Sequence, residues 1–192
     1  DITADRVVLA TGADSSSVAH LGRFELPQRS TPGVIVITDP LPPLLNGILV
    51  APGVHIDQRI DGRLVIGKQE GAPDTEAHRA RLMCRPTAFP TADISAGHAR
   101  RLLTLARQYL QMPDNVVVDE VVIGWRPLPL DGLPVIGPSP EDSDTYIAVM
   151  HSGVSLAAVV GRLVARELVD GVDMAELSPY RADRVFASAN RY

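Results

Sequence analysis

The residues best suited to chemistry lie in two short stretches of this 192-residue chain. In Tyr146-Ile147-Ala148-Val149-Met150-His151-Ser152-Gly153-Val154-Ser155 an apolar run with β-branched residues breaks at His151-Ser152-Gly153, and Val154 to Leu168 continues with helical character. That pattern predicts a strand, a tight glycine turn and a helix. The first backbone N–H groups of such a helix have no partners inside it and lie at the positive end of its dipole. They suit a phosphate, a carboxylate or the electron-rich edge of a heterocycle. Gly153, Ala157 and Gly161 recur at every fourth position, a smooth stripe that a sheet or a flat group can approach. Tight helix–sheet packing is the plain alternative.

The second stretch is Gly124-Trp125-Arg126-Pro127, followed by Asp131-Gly132 and Pro134. A residue before proline is biased toward extended backbone, and a guanidinium held that way is a good bidentate clamp for a carboxylate. An arginine paired with an aspartate on a surface loop is the simpler reading of the same residues. His55 sits on an apolar run with Arg59 nearby, either lining a pocket or adding polarity to an exposed strand, whereas His20, His78 and His98 read as solvated. The histidine spacings offer no metal-ligand set and Cys84 has no partner cysteine, so no metal is expected. No Gly-x-Ser-x-Gly elbow occurs.

The elements that must hold these residues come in two kinds. Arg6-Val7-Val8-Leu9-Ala10-Thr11-Gly12-Ala13 is a short apolar strand with a glycine turn, and its unbroken apolar character predicts a parallel-sheet strand covered on both faces. Asp14 and Ser15 to Ser17 suit the cap of a helix. The middle reads as an antiparallel or mixed sheet, with strands over 33–38, 47–51, 54–57 and 63–67 and a hairpin turn at Asp61-Gly62. Helices are predicted over 74–83 and 91–110, the second capped by Thr91, stopped by Pro113 and buried through Ile94, Leu102, Leu105, Ala106, Tyr109 and Leu110. A further strand is predicted over 115–124, and a proline-rich connector follows. The chain thus leaves one sheet, builds a second unit and returns: the predicted boundaries are 1–27, 28–122 and 123–192, with the first and last segments in one domain.

Composition narrows the class. Hydrophobic residues at 45% with aromatics at 4% predict an aliphatic core. Lys+Arg of 18 against Asp+Glu of 23 gives net −5 with no basic block, which argues against nucleic acid. The most apolar stretch, 146–164, carries His151 and Arg162 and does not read as a membrane span. No signal peptide is visible and a single cysteine is compatible with a reducing compartment, so a cytoplasmic protein is expected. The start at Asp1, without an initiator Met, resembles a larger chain cut in the middle.

Three motifs in order, Val8 to Ala13, Gly124-Trp125-Arg126-Pro127 with Asp131 to Gly137, and Met150 to Gly161, together resemble the C-terminal half of the FAD-dependent D-amino-acid oxidase family, which includes glycine oxidase and sarcosine oxidase. The resemblance implies an α/β fold in which an FAD-binding Rossmann-type domain is interrupted by a mixed-sheet substrate domain. It implies that Thr11, Gly12 and Ala13 lie near the ADP part of FAD, and that His151, Ser152, Gly153, Val154 and Ser155 meet the pyrimidine edge of the flavin, where amides and a helix dipole stabilise negative charge. Arg126 would hold the substrate carboxylate, so that an amine or amino acid is oxidised by hydride transfer to flavin N5. His55 would line the substrate pocket. No cysteine lies near residue 126, so the FAD is expected to be non-covalent. The chain also lacks Gly-x-Gly-x-x-Gly and its acidic ribose partner, so alone it is expected to bind FAD poorly or not at all. The alternative is a non-catalytic or partner-requiring subunit that holds FAD only with a second chain carrying the nucleotide-binding half.

Overall fold

In the computed structural model, which describes residues 3–68 and 88–186, the chain sorts into two units. One comprises Asp1–Ser30 with Arg126–Tyr192 and the other Thr31–Trp125. The boundaries expected from composition fall after 27 and 122 rather than after 30 and 125. The helix expected over 74–83, which includes His78, and Cys84 just after it lie outside the described residues.

The first unit is built on strands β1 (Val7–Leu9), β7 (Val135–Ser139) and β8 (Asp142–Val149), in the order β1-β8-β7. β1 runs parallel to β8, with Val8 opposite Tyr146, and β7 runs antiparallel to it. β8 is central, and alternation sends its side chains into two different cores. Ile147 and Val149 join Leu9, Val18, Leu26 and Val135 on one side. Tyr146 and Met150 join Ile136, Val160, Leu163, Val164 and Leu177 on the other. Helix α1 (Ser15–Gly22) supplies Val18 to the first core. The long helix α3 (Gly153–Asp170) follows β8 and supplies Val160, Leu163 and Val164 to the second. Each buried aliphatic side chain contributes about 1.5–3 kcal/mol, so these two layers fix where β8 must end.

β1 departs from expectation. Val7 and Val8 are 48% and 44% exposed, so the faces of β1 are only partly covered, and among the described residues β1 is an edge strand paired with β8 alone. An apolar run cannot reveal how many neighbours its strand has. β7 lies within the stretch expected to be a proline-rich connector. Its Pro138, lacking an N–H, is tolerated because β7 forms the other edge.

The second unit carries a sheet in the order β3-β4-β5-β2-β6: β3 (Leu49–Ala51), β4 (Val54–Gln58), β5 (Arg63–Lys68), β2 (Gln28–Pro40) and β6 (Val118–Pro129). β3, β4, β5 and β2 pair antiparallel in succession. β4 meets β5 through the predicted Asp61-Gly62 turn, where Asp61 Oδ1 accepts from the Arg63 amide at 3.1 Å. One sheet face, Val36, Val54, Ile56, Leu64 and Ile66, packs on helix α2 (Ala92–Ala106). Thr91 caps α2, its Oγ1 accepting from Ile94 N at 3.4 Å. The buried stripe of α2 is Ala99, Leu102 and Ala106, while Ile94 and Tyr109 are exposed, contrary to expectation. The helix ends at Ala106, so Tyr109 falls outside its periodicity, and Ile94 lies in the first turn, before the buried stripe begins at Ala99. Arg107 then gathers the carbonyls of Met112, Pro113 and Asp114 at 2.7–3.3 Å.

Candidate functional site

β8 delivers the chain into the turn His151-Ser152, and helix α3 begins at Gly153, as the residue pattern predicts. Ser152 is the cap residue, with φ −91° and ψ 37°, and its side chain makes no capping hydrogen bond. The first intrahelical bond runs from Leu156 N to Ser152 O at 3.0 Å, so the amides of Gly153, Val154 and Ser155 have no carbonyl within the helix. The side chains around them leave the turn open: His151, Ser152 and Ser155 are exposed, and Val154 is 96% exposed. The stripe Gly153, Ala157, Gly161 takes no part in helix–sheet packing among the described residues. The buried face of α3 is Val160, Leu163, Val164 and Glu167, and a Cβ placed on Gly161 would meet nothing within 4 Å.

Arg126, on the part of β6 that belongs to this unit, is half-buried, and that burial lowers its pKa. His151 is exposed as a residue, yet partial desolvation of its ring, and after that the positive charge of Arg126, lowers its pKa. The fold therefore brings together two side chains that the sequence singles out separately. The shift favours the neutral imidazole beside a permanent cation. The simpler reading of Arg126 pairs that residue with the aspartate of its loop, but the Asp131 carboxylate belongs to Arg184. Arg184 Nε donates to Oδ2 at 2.8 Å and Nη2 to Oδ1 at 3.0 Å. Burial pushes the Asp131 carboxyl up, yet hydrogen bonds from Arg184 and the Leu133 amide, with the Arg184 charge, hold it below the ordinary range.

At the other end of the chain, Thr11, Gly12 and Ala13 form the turn after β1. Thr11 Oγ1 donates to Asp14 O at 2.8 Å, Asp14 N donates to Thr11 O at 3.1 Å, and Gly12 takes φ +59°, which glycine adopts without strain. Gln28 Nε2 reaches Ala13 O at 3.4 Å. The Asp14 carboxylate accepts from the amides of Ser16 and Ser17 and from both hydroxyls, which lowers its pKa to about 2. An anion thus already occupies the start of α1. The helix starts of α1 and α3 differ in kind: the first is filled by its own side chain and the second is left open.

His55 lies in the second unit, on β4, half-buried on the sheet face turned away from the α2 core. Two buried groupings have no counterpart among the expected site residues. Arg184 clamps the Asp131 loop. Glu167 accepts from Arg181 Nη1 at 2.8 Å, from Arg181 Nη2 at 2.5 Å, from the Met174 amide at 2.7 Å and from the Tyr146 hydroxyl. The available signal is a glutamate on the apolar stripe of a helix, which demands a partner. Among the described residues, no three His, Cys, Asp or Glu gather as metal ligands require, and no helix is long and apolar enough to cross a membrane.

A two-unit α/β chain with an open helix start beside an arginine–histidine pair is compatible with a cofactor-dependent oxidoreductase, and comparison with known proteins places it in that class. The family model for FAD dependent oxidoreductases (DAO) matches residues 1–167, and the chain belongs to that family. Among curated proteins it is 30% identical over 186 residues to an opine oxidase subunit of Agrobacterium tumefaciens (strain Ach5), covering 97% of this chain and 45% of that protein. It is 29% identical to glycine oxidase of Geobacillus kaustophilus (strain HTA426), covering 94% of this chain and 45% of that protein. The crystal structure of the Geobacillus kaustophilus glycine oxidase superposes with a TM-score of 0.77 at 27% identity, over 97% of this chain and 47% of that one. The chain spans about half the length of these relatives.

Proposed function

We propose that the chain is the C-terminal portion of an FAD-dependent oxidoreductase that oxidises an amine or an amino acid, with the FAD held non-covalently. FAD supplies the hydride acceptor when bound. The residues present fit that group. The uncapped amides of Gly153, Val154 and Ser155, with His151 and Ser152, offer hydrogen-bond donors and a positive helix end to an electron-rich ring edge. At Thr11 to Ala13 the contact is one of shape, because the Asp14 carboxylate fills the start of α1 and repels a further anion. Arg126 grips the carboxylate of the substrate, and the neutral His151 beside it adds a donor or acceptor without a second charge. His55 lines the substrate pocket. A cytoplasmic location belongs to the same reading.

The observation that carries this proposal is the pairing of an uncapped helix start with Arg126 and His151 in one unit. Its test is flavin uptake by the protein produced together with its nucleotide-binding half. Bound, extractable FAD is expected, and a colourless complex with no affinity for FAD contradicts the proposal.

A second reading has its own support. The outer edge of β1 carries no strand among the described residues, Val7 and Val8 are partly bare, and Val154, Ala157, Ala158 and Gly161 form an uncovered face on α3. A relative is named as a subunit. On this reading the chain is a partner-requiring subunit, and FAD binds only when a second polypeptide with the nucleotide-binding half covers those surfaces. Flavin retained by this chain alone would exclude it.

A further inference from the structure

On β4 and β5, His55 lies directly opposite Gly67. Gly67 in turn faces Ile35 on β2, and Val50 on β3 faces His55 from the far side. Directly paired residues point to the same face of a sheet, so Val50, His55, Gly67 and Ile35 form one row across it. That face is opposite the one through which Val54, Ile56, Leu64 and Ile66 enter the core. The row is aliphatic apart from the imidazole, and Val50 is 65% exposed.

His55 does not stand upright in this row. Its ring lies over the neighbouring strand, so that a Cβ built on Gly67 would fall inside the van der Waals surface of the imidazole, against Nε2 and Cε1, with Cδ2 at 3.0 Å. Gly67 itself is buried. Its backbone is ordinary strand and has no positive φ, so conformation does not call for glycine there. Glycine weakens a strand interior and often marks a place where another group must come close. Here the close group is the His55 ring.

We infer that Gly67 is a positioning residue for His55: its missing side chain leaves the notch that lays the imidazole across β5. The seated ring presents one polar contact in an aliphatic surface, which suits an amine or amino-acid substrate with an apolar portion. This rests on the reading of His55 as a pocket residue given under Proposed function.

The test uses the flavin-loaded protein with Gly67→Ala, His55→Ala and the double variant. Each single change is expected to raise KM by about tenfold, the size of one lost hydrogen bond, with kcat and flavin content unchanged. The double variant is expected to match His55→Ala alone, because a methyl fits once the ring is gone. Additive losses, or a Gly67→Ala enzyme with normal KM, overturn the inference. If Gly67→Ala does not fold, the double variant must fold, and its failure to do so also overturns the inference. A readout independent of turnover uses the chain itself: the ring-proton resonances of His55, assigned by their loss in His55→Ala, are expected to move in Gly67→Ala. Unmoved resonances refute the seating. If those resonances move but the loaded protein oxidises no amine, the seating stands and the proposed function fails.

Discussion

Arg126 is the residue on which the proposed chemistry turns. A charge-assisted, bidentate grip on a carboxylate contributes about 3–4 kcal/mol when both partners are shielded from water, which corresponds to a factor on the order of 10²–10³. Arg126→Ala is therefore expected to raise KM for a carboxylate substrate by that factor, measured by steady-state kinetics on flavin-loaded protein. An unchanged KM removes Arg126 from the site. The neighbouring histidine gives an independent check. Because the His151 pKa is lowered first by partial desolvation and then by the Arg126 charge, Arg126→Met is expected to raise it while leaving it below the ordinary 6.5. An NMR titration of the imidazole reads this directly, and an unmoved titration shows that the cation does not act on the ring. Arg126 and the turn before α3 are legible in the sequence because their signals are local: a proline fixes one backbone and a glycine punctuates the other. The partner of Asp131 is not legible, since Arg184 lies far along the chain and nothing local marks it.

Among the elements, α3 matters most, and its position depends on Glu167. That carboxylate is tied to Arg181, to Tyr146 and to the Met174 amide, which joins the helix to β8 and to the 3₁₀ turn Ala175–Tyr180. Burial pushes the Glu167 pKa up, but hydrogen bonds from Arg181, Tyr146 and the Met174 amide, with the Arg181 charge, bring it down to about 2. Its folded pKa lies below the ordinary 4.5, so its contribution to stability is complete above that value and is lost as pH falls through about 2. Arg181→Ala removes the cation from a buried carboxylate that keeps only the Tyr146 and Met174 donors and is expected to cost about 3 kcal/mol, measured by urea unfolding at neutral pH. The gap between wild type and Glu167→Gln should narrow as the pH drops from about 4.5 toward 2. A constant gap means that the carboxylate is not held as described. In the second unit, Ile66→Ala removes a fully buried side chain from the sheet–α2 core and is expected to cost about 2–5 kcal/mol by the same method. Strands with clean alternation, such as β4, and the capped start of α2 are readable from residue types. The end of α2 is not, because Tyr109 and Leu110 continue the apolar spacing past the point where the helix stops at Ala106.

For the molecule as a whole, the chain leaves one unit after Ser30 and returns at Arg126, and the residue pattern changes near both crossings. The exposure of β1 is not legible in the sequence, because Val7-Val8-Leu9 reads the same whether its faces are covered or partly bare. That exposure and the open face of α3 are the surfaces that the proposed nucleotide-binding half would cover, and the chain spans about half of each relative. The most direct measurement is the absorption spectrum of the complete flavoprotein, recorded anaerobically before and after adding a panel of amines with and without a carboxylate. The expected result is bleaching of the flavin bands by a carboxylate-bearing amine, slowed in Arg126→Ala at low substrate concentration. Flavin bands that persist with every amine, or bleaching that ignores both the carboxylate and Arg126, would contradict the account.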